Sequence, residues 1–384
     1  MKSKFRLCYL VSHPIQYQAP LLRRIAEIPD IELTVAFETL VTASAYHDDG
    51  FGCVVEWDLP LTEGYPYQIA SGKKDIENLL KTSDVLWVHG WDSMLRRKTL
   101  SMASKACIPT LMRGENTLAA MPEGHGLPRF LKRHYLQRIF HNCSGFLCIG
   151  TDNRRYYESY GIDMTRLFSM PYTVDNEYFS TQAKAAASRR RDFRQKLGLQ
   201  PNRPIILFAG KLQQRKHPLN LFKAWKQLDH DKTRQPYLIY VGDGAERATL
   251  ETLSAPEKSI KILGFRNQSE LPAFYDLADV FVLPSEREPW GLSINEAMAC
   301  NTAVIASDHC GCSIDLLDES CGIIVPVGDV EALTSALSNI LAKPGRAVLM
   351  GEAARDKVSQ WSFDQSIEGL TTAIKAVCLA PRRA

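Results

Sequence analysis

In the stretch "PSEREPWGLSINEAMAC", residues 284–300, two carboxylates, Glu288 and Glu296, bracket a Pro-Trp-Gly turn. The run before it, "DVFVLPS", is apolar and β-branched like a buried strand, so Glu288 falls just beyond that strand's carboxyl end. Open α/β sheets bind their ligands at this place. No helix rule uses Glu288, and its plain alternative is a solvated loop carboxylate. Glu296 has a structural use of its own. Ser293 and Glu296 have the spacing of a capping box, in which hydroxyl and carboxylate take up orphan amides of a first helical turn. Gly291 lets the backbone come close to a ligand, and the amides of Leu292 and Ser293 would open the helix as an anion site. Asn301 is expected to end that helix in the left-handed conformation.

A second group sits in "LFAGKLQQRKHP", where Gly210, Lys211, Arg215 and Lys216 follow another strand-like run. Three cations at the carboxyl end of a strand suit a diphosphate, through charge-assisted bonds to its oxygens. A basic surface turn is the alternative. The turn Gly242-Asp243-Gly244 is a third strand exit, but it lacks the glycine spacing of a dinucleotide fingerprint. No Walker A, H-E-x-x-H or G-x-S-x-G motif occurs, which removes the main support for a P-loop NTPase, a zincin or an α/β-hydrolase. His309, Cys310 and Cys312 have no spacing of a closed zinc site, and no metal is expected.

The elements that must hold these groups alternate along the whole chain. Strand-like runs "FRLCYLVS", "IELTVAF", "DVLWVHG", "IPTLMRG", "GFLCIG" and "RLFSMPY" precede "PIILFAG", "PYLIYVGDG", "SIKILGF", "DVFVLPS", "TAVIASD" and "CGIIVPVGD". Helical patterns lie between them, for example at 19–27, 218–228, 245–253, 269–277 and 330–341. Repeated βα units with near-continuous apolar strands predict an α/β fold of doubly wound parallel sheets. A length of 384 residues favours two such domains, with boundaries expected at 1–180, 205–360 and a last helix at 361–384. Residues 181–204 carry six net positive charges and no strand pattern, and read as a solvated basic helix and linker. The net charge of +3 gives no reason to expect a nucleic-acid partner. Ten cysteines without a C-x-x-C pair, no export signal and no apolar run near 20 residues point to a cytoplasmic protein with reduced thiols.

Taken in order, the second half resembles the GT-B glycosyltransferases of family 4. "FAGKLQQRKHPLNLFKAW", "YLIYVGDGAERATLE", "IKILGFRNQSELPAFYDLADVFVLPSE", "EPWGLSINEAMACNTAVIASDHCG" and "CGIIVPVGDVEAL" are similar to successive family elements, the fourth carrying its E-x7-E signature. The resemblance implies two Rossmann-like domains facing a central cleft, and retaining transfer from a nucleotide-diphospho-sugar without cofactor or obligatory metal. It implies that Lys211 and Lys216 hold the diphosphate beside Gly210, that Glu296 takes the ribose hydroxyls, and that Glu288 faces the donor sugar. The amides at Leu292 and Ser293 would meet the distal phosphate as the leaving group gains charge. The base would lie near Gly264, Phe265 and Arg266. Two residues depart from the pattern: Lys211 stands where the family has Arg, and His217 where it has Gly.

In the first half, "SHPIQYQAPLLRRIA" resembles the first loop and helix of bacterial surface-polysaccharide transferases of this family, which makes His13 and Gln16 acceptor-side candidates. "IPTLMRGENT" puts Glu115 where many relatives have a histidine, so Arg113 and Glu115 are expected to shape a sugar or acceptor pocket. His89 and Trp91 close the preceding strand and either line the cleft or pack at the sheet edge. Residues 126–143 form a basic helical stretch with Phe130, Leu131, Tyr135, Leu136, Ile139 and Phe140 interleaved. That stretch either packs its apolar stripe on the sheet or rests on an anionic membrane, near a lipid-linked glycan acceptor. The resemblance also implies that the last helix crosses back to the N-terminal domain. The expected activity is glycosyl transfer in polysaccharide biosynthesis. A small metabolite is the alternative acceptor. A sugar-nucleotide epimerase or phosphorylase of the same fold and a non-catalytic nucleotide-sugar-binding module are the alternative functions, and a nicotinamide dehydrogenase lacks its glycines.

Overall fold

The apolar runs become strands because they are buried on both faces. "VLWVH", "IILFA", "YLIYV" and "AVIAS" are buried at every residue, each in the middle of a parallel sheet. The computed structural model describes residues 4–120, 126–231, 233–343 and 345–379. Its strands are β1 (Phe5–Val11), β2 (Ile31–Phe37), β3 (Tyr46–Asp48), β4 (Cys53–Val55), β5 (Tyr67–Ile69), β6 (Val85–His89), β7 (Thr110–Arg113), β8 (Gly145–Cys148) and β9 (Leu167–Ser169). They continue with β10 (Ile205–Ala209), β11 (Tyr237–Val241), β12 (Ile260–Ile262), β13 (Val280–Leu283), β14 (Ala303–Ser307) and β15 (Gly322–Val325).

The chain divides into two compact units. The first comprises residues 1–45, 59–173 and 363–384, and its sheet has the order β5-β2-β1-β6-β7-β8-β9. Helices cover it through Ile76, Leu80, Leu100, Phe140 and Tyr157, which meet Leu10, Val88, Met112 and Phe146 in one buried cluster. Burying each such side chain is worth about 1.5–3 kcal/mol. The basic stretch is the helix Gly126–His141. Its Leu136, Ile139 and Phe140 are buried, whereas Phe130, Leu131 and Tyr135 are exposed. The last helix, Phe363–Leu379, belongs to this unit, where Ser366 Oγ donates to the Pro171 carbonyl at 2.6 Å.

The second unit comprises residues 46–58 and 174–362, with a sheet of order β12-β11-β10-β13-β14-β15. It begins at Val174, ahead of the expected boundary at 181. The reason is packing. Helix Asn176–Ala187 buries Phe179 against Tyr275, and Cys300 Sγ donates to the Phe179 carbonyl at 3.5 Å. The basic segment is thus largely helical, continuing as Arg190–Lys196. In each unit one strand sits where the order reverses: β1 lies between β2 and β6, and β10 lies between β11 and β13. Loops leaving the carboxyl ends on either side of such a point diverge and open a crevice. Among the described residues no helix is long and apolar enough to cross a membrane.

Candidate functional site

At the reversal point of the second unit, the loop after β10 meets the loop after β13. The main chain laces them together: Glu286 N donates to the Arg215 carbonyl at 2.8 Å, and Arg215 Nη1 donates to the Arg287 carbonyl at 3.0 Å. The loop after β14 holds the other side, with Gly311 N on the Glu288 carbonyl at 2.9 Å and Cys312 N on the Trp290 carbonyl at 3.1 Å. His309 Nδ1 bonds the Glu286 carbonyl at 2.9 Å. Cys310 and Cys312 are buried, and burial pushes the Cys310 thiol up to about 12. His309, Cys310 and Cys312 therefore serve to fix the loop that carries Glu288. Among the described residues no group of three or more His, Cys, Asp or Glu is arranged to hold a metal ion.

Held in this way, Glu288 is only 9% exposed and forms an ion pair with Lys216, which follows β10. Lys216 reaches it because His217 turns the chain into the helix Pro218–Lys226 with φ 52°. His217 takes a left-handed conformation that residues with a Cβ rarely adopt, so the turn carries local strain. Lys211 extends from the same loop and meets Asp48, with Nζ 2.7 and 3.0 Å from the two carboxylate oxygens.

The helix beyond Glu288 runs from Leu292 to Ala299, two residues earlier than the capping box requires. Its N-cap is Gly291, at φ 104°, where an added Cβ would lie 3.2 Å from Leu283, 3.3 Å from Ile294 and 3.4 Å from Glu288. The expected Ser293–Glu296 box does not form: the chain already enters the helix through this glycine, and Glu296 is claimed from another direction. Tyr275 donates its hydroxyl to Glu296 Oε2 at 2.7 Å. Burial pushes the Glu296 carboxyl up to about 7, with the Tyr275 hydroxyl opposing. The amides of Leu292 and Ser293 head the helix, where no intrahelical acceptor exists for them. Asn301 follows the helix at φ 67°, as its residue type predicts.

The exits of β11 and β12 sit beside this crevice. Gly242 approaches Gly210 so closely that a Cβ on it would fall 1.9 Å from the Gly210 oxygen. Gly242 N donates to the Gly264 carbonyl at 2.8 Å, which links the two exits. Phe265 packs edge-on against Phe51, with ring centroids 4.9 Å apart. Arg266 lies 3.6 Å from Glu270, and its Nε has no hydrogen-bond partner among the described residues.

The first unit gathers its own polar cluster at the carboxyl ends of β1, β6 and β7. Glu115 Oε1 accepts the hydroxyls of Tyr17, at 3.0 Å, and Tyr172, and lies 3.2 Å from His89 Nε2. Tyr9 donates to Gln18 Oε1, and Gln18 Nε2 lies 3.2 Å from His89 Nδ1. His89 thus stands between the Gln18 amide at Nδ1 and Glu115 at Nε2. Arg113 is 1% exposed, sits over the Tyr172 ring at 4.8 Å, and leaves Nε and Nη1 without partners among the described residues. His13 bonds Ser12 Oγ at 2.9 Å, and burial, followed by the charges of Arg96 and His89, lowers its pKa. Gln16 is half-buried on the same loop. Trp91 packs edge-on against Phe140, at 5.1 Å. Tyr9, Tyr17, Gln18, Tyr172 and Arg96 are the additions that spacing did not reveal. Arg96 secures the exit of β6 by donating to the His89 carbonyl at 2.6 Å and to Glu38 at 2.9 Å.

This cluster has a pH signature. Burial works to raise the Glu115 carboxyl, but the hydrogen bond and charge of His89, then the Tyr172 and Tyr17 hydroxyls, outweigh it and hold it at about 2. A depressed carboxyl stabilises the folded state above its unfolded value and loses that contribution as pH falls. Glu115 should therefore contribute in full above pH 4.5 and lose its contribution as pH falls towards 2. With 34% of the side chain exposed, solvent screening leaves about 1–2 kcal/mol. Denaturant unfolding of Glu115→Gln and wild type across this range should show the slope in wild type alone, and identical slopes would contradict the assignment.

Residues 189–357 match the family described as Glycosyl transferases group 1. The chain is 30% identical over 214 residues to a D-inositol 3-phosphate glycosyltransferase of Xylanimonas cellulosilytica, covering 54% of this chain and 50% of that protein. It is 28% identical over 266 residues to a GDP-mannose-dependent alpha-(1-6)-phosphatidylinositol monomannoside mannosyltransferase of Mycolicibacterium smegmatis, covering 65% and 66%. The first of these matches thus spans half the length of the curated relative. A solved structure, Anabaena Alr3699/HepE in complex with UDP and glucose, superimposes with a TM-score of 0.70 at 15% identity over 97% of this chain and 99% of that one. Residues 189–357 are thus similar to the glycosyl transferases group 1, within a chain that has the two-Rossmann-unit GT-B fold.

Proposed function

We propose that the chain is a retaining glycosyltransferase that moves a sugar from a nucleotide-diphospho-sugar to a hydroxyl of a glycan or lipid-linked glycan precursor. The observation that carries this reading is the buried Lys216–Glu288 pair, set with Lys211 where the loops after β10 and β13 meet, beside the amides of Leu292 and Ser293 that head the helix. Two lysines and a helix N-terminus supply the positive potential a diphosphate needs, so no metal is invoked. As the bond from the anomeric carbon to the phosphate oxygen breaks, these groups meet the charge that builds on the leaving phosphate. The acceptor oxygen bonds to the anomeric carbon on the face just vacated, and its proton passes to the departing phosphate oxygen. Configuration is retained without a protein nucleophile. Glu288 faces the donor sugar with its carboxylate charge, Glu296 holds the ribose, and the exits of β11 and β12 hold the base. The Glu115–His89 cluster of the first unit supports acceptor recognition. A surface-polysaccharide acceptor is favoured by the resemblance of residues 12–26 alone.

A thermal-shift panel of UDP-, GDP-, ADP- and dTDP-sugars tests the donor half of the proposal, because a ligand that binds only the folded state raises Tm by mass action. One nucleotide series should raise Tm by several degrees, roughly 2–3 kcal/mol at saturating ligand. Lys216→Ala should abolish the shift. No response to any nucleotide sugar, or a product anomer opposite to the donor's, would end the retaining-transferase reading.

A further inference from the structure

Residues 46–58 lie between β2 and β5 in sequence, yet they pack with the second unit. They form a small hairpin, β3 with β4, whose turn lies over Lys211. Asp48 is arranged there as an anion. Its Oδ1 accepts the amides of Gly50 at 2.8 Å and Phe51 at 3.0 Å, and both its oxygens bond Lys211 Nζ. Tyr46 donates to its Oδ2 at 3.3 Å. The turn fits closely on the lysine: a Cβ on Gly50 would lie 2.6 Å from Lys211 Cδ and Nζ. Phe51 places its ring 4.9 Å from the same Nζ and packs on Phe265, which Trp57 also touches at 6.0 Å. Further along, Asn267 Nδ2 donates to the Glu56 carbonyl at 2.5 Å, and Ser269 N donates to Asp58 Oδ2 at 3.2 Å.

This arrangement has a consequence for any anionic ligand of Lys211. The lysine's charge is already neutralised by a carboxylate that itself gathers two amides and a hydroxyl, much as a phosphate would. We propose that the 46–58 hairpin is a strap over the donor site whose Asp48 competes with the donor diphosphate for Lys211, so that a nucleoside diphosphate binds only as this carboxylate yields. The proposal rests on the donor-site reading above and adds to it a group from the first half of the chain. Burial works to raise the Asp48 carboxyl, but the Lys211 hydrogen bond, with the Phe51 and Gly50 amides, outweighs it and keeps the carboxyl ionised below its ordinary range. Asp48 is therefore charged at any pH at which the enzyme would work.

Asp48→Asn tests the competition, because the side-chain oxygen that takes the Gly50 and Phe51 amides survives while the charge opposing the ligand is lost. Calorimetric titration with UDP, GDP and inorganic pyrophosphate should show about five- to ten-fold tighter binding to Asp48→Asn than to wild type. The gain should vanish when Lys211→Met is present in both backgrounds, which separates competition from mere loosening of the hairpin. Unchanged or weaker binding by Asp48→Asn would overturn the competition, as would a gain that persists in the Lys211→Met background. A folded wild type that binds none of the three anions would instead remove the donor-site reading itself, and the strap with it.

Discussion

Glu288→Gln should lower sugar transfer about 10²–10³-fold, the usual cost of losing one group that acts on the transition state. The variant keeps shape and hydrogen-bonding capacity, so a role in positioning alone would lose far less. Stability also responds, because the substitution leaves Lys216 with 14% of its side chain exposed and no counter-charge. Breaking a buried pair from one side costs about 3–5 kcal/mol at full burial, and somewhat less is expected here. The two effects separate in a cycle with Lys216→Met. In the double variant neither charge is stranded, so stability measured by urea unfolding should return most of the way to wild type. Transfer should stay as low as in the worse single variant if, as proposed, both groups act on the same diphospho-sugar. If transfer recovered along with stability, the pair would be structural only.

Which parts of this picture could be read from the chain follows from where the determinants lie. Central parallel strands are buried on two faces, so "IILFA" and "VFVL" declare themselves as unbroken apolar runs. Edge strand β5, "YQI", is exposed at all three residues and carries no such signal. Glu288 and Lys216 were legible because each lies a few residues past a recognisable strand end, and parallel pairing of β10 with β13 brings those ends together. Glu296 misled because a capping box is a local pattern, whereas its actual partner, Tyr275, sits on a different helix. The Glu115 cluster was legible only in part. Tyr17 and Tyr172 reach Glu115 from far along the chain, Tyr17 from beyond β1 and Tyr172 from beyond β9. The strap was not legible at all, since nothing in "YHDDGFGCVVEWD" announces that it leaves the half of the chain in which it is encoded.

The same contrast between local and long-range control makes Glu296 the most discriminating position. Its carboxyl is raised from 4.5 to about 7, chiefly by burial. Between those values the folded protein binds more protons than the unfolded chain, so stability must fall as pH rises through this window and then level off above about 7. The drop amounts to about 2–3 kcal/mol, because each tenfold change in proton activity across the window is worth roughly 1.4 kcal/mol. Glu296→Gln cannot ionise, and its amide oxygen can still accept the Tyr275 hydroxyl. It should therefore equal wild type near pH 4, lack the slope, and be more stable by about 2–3 kcal/mol at pH 8 in denaturant unfolding. Donor binding should move the opposite way. If ribose hydroxyls bond this carboxylate, binding favours the ionised form, so wild-type affinity for the nucleotide should rise from pH 5 to 8 as the proton is displaced. Glu296→Gln should bind about 10–100-fold more weakly at pH 8 and show no such dependence. Greater stability with unaltered, pH-independent donor affinity would leave burial as the whole account of Glu296. Greater stability with lost affinity would mean that the fold holds this carboxyl in an unfavourable place because the ligand needs it there.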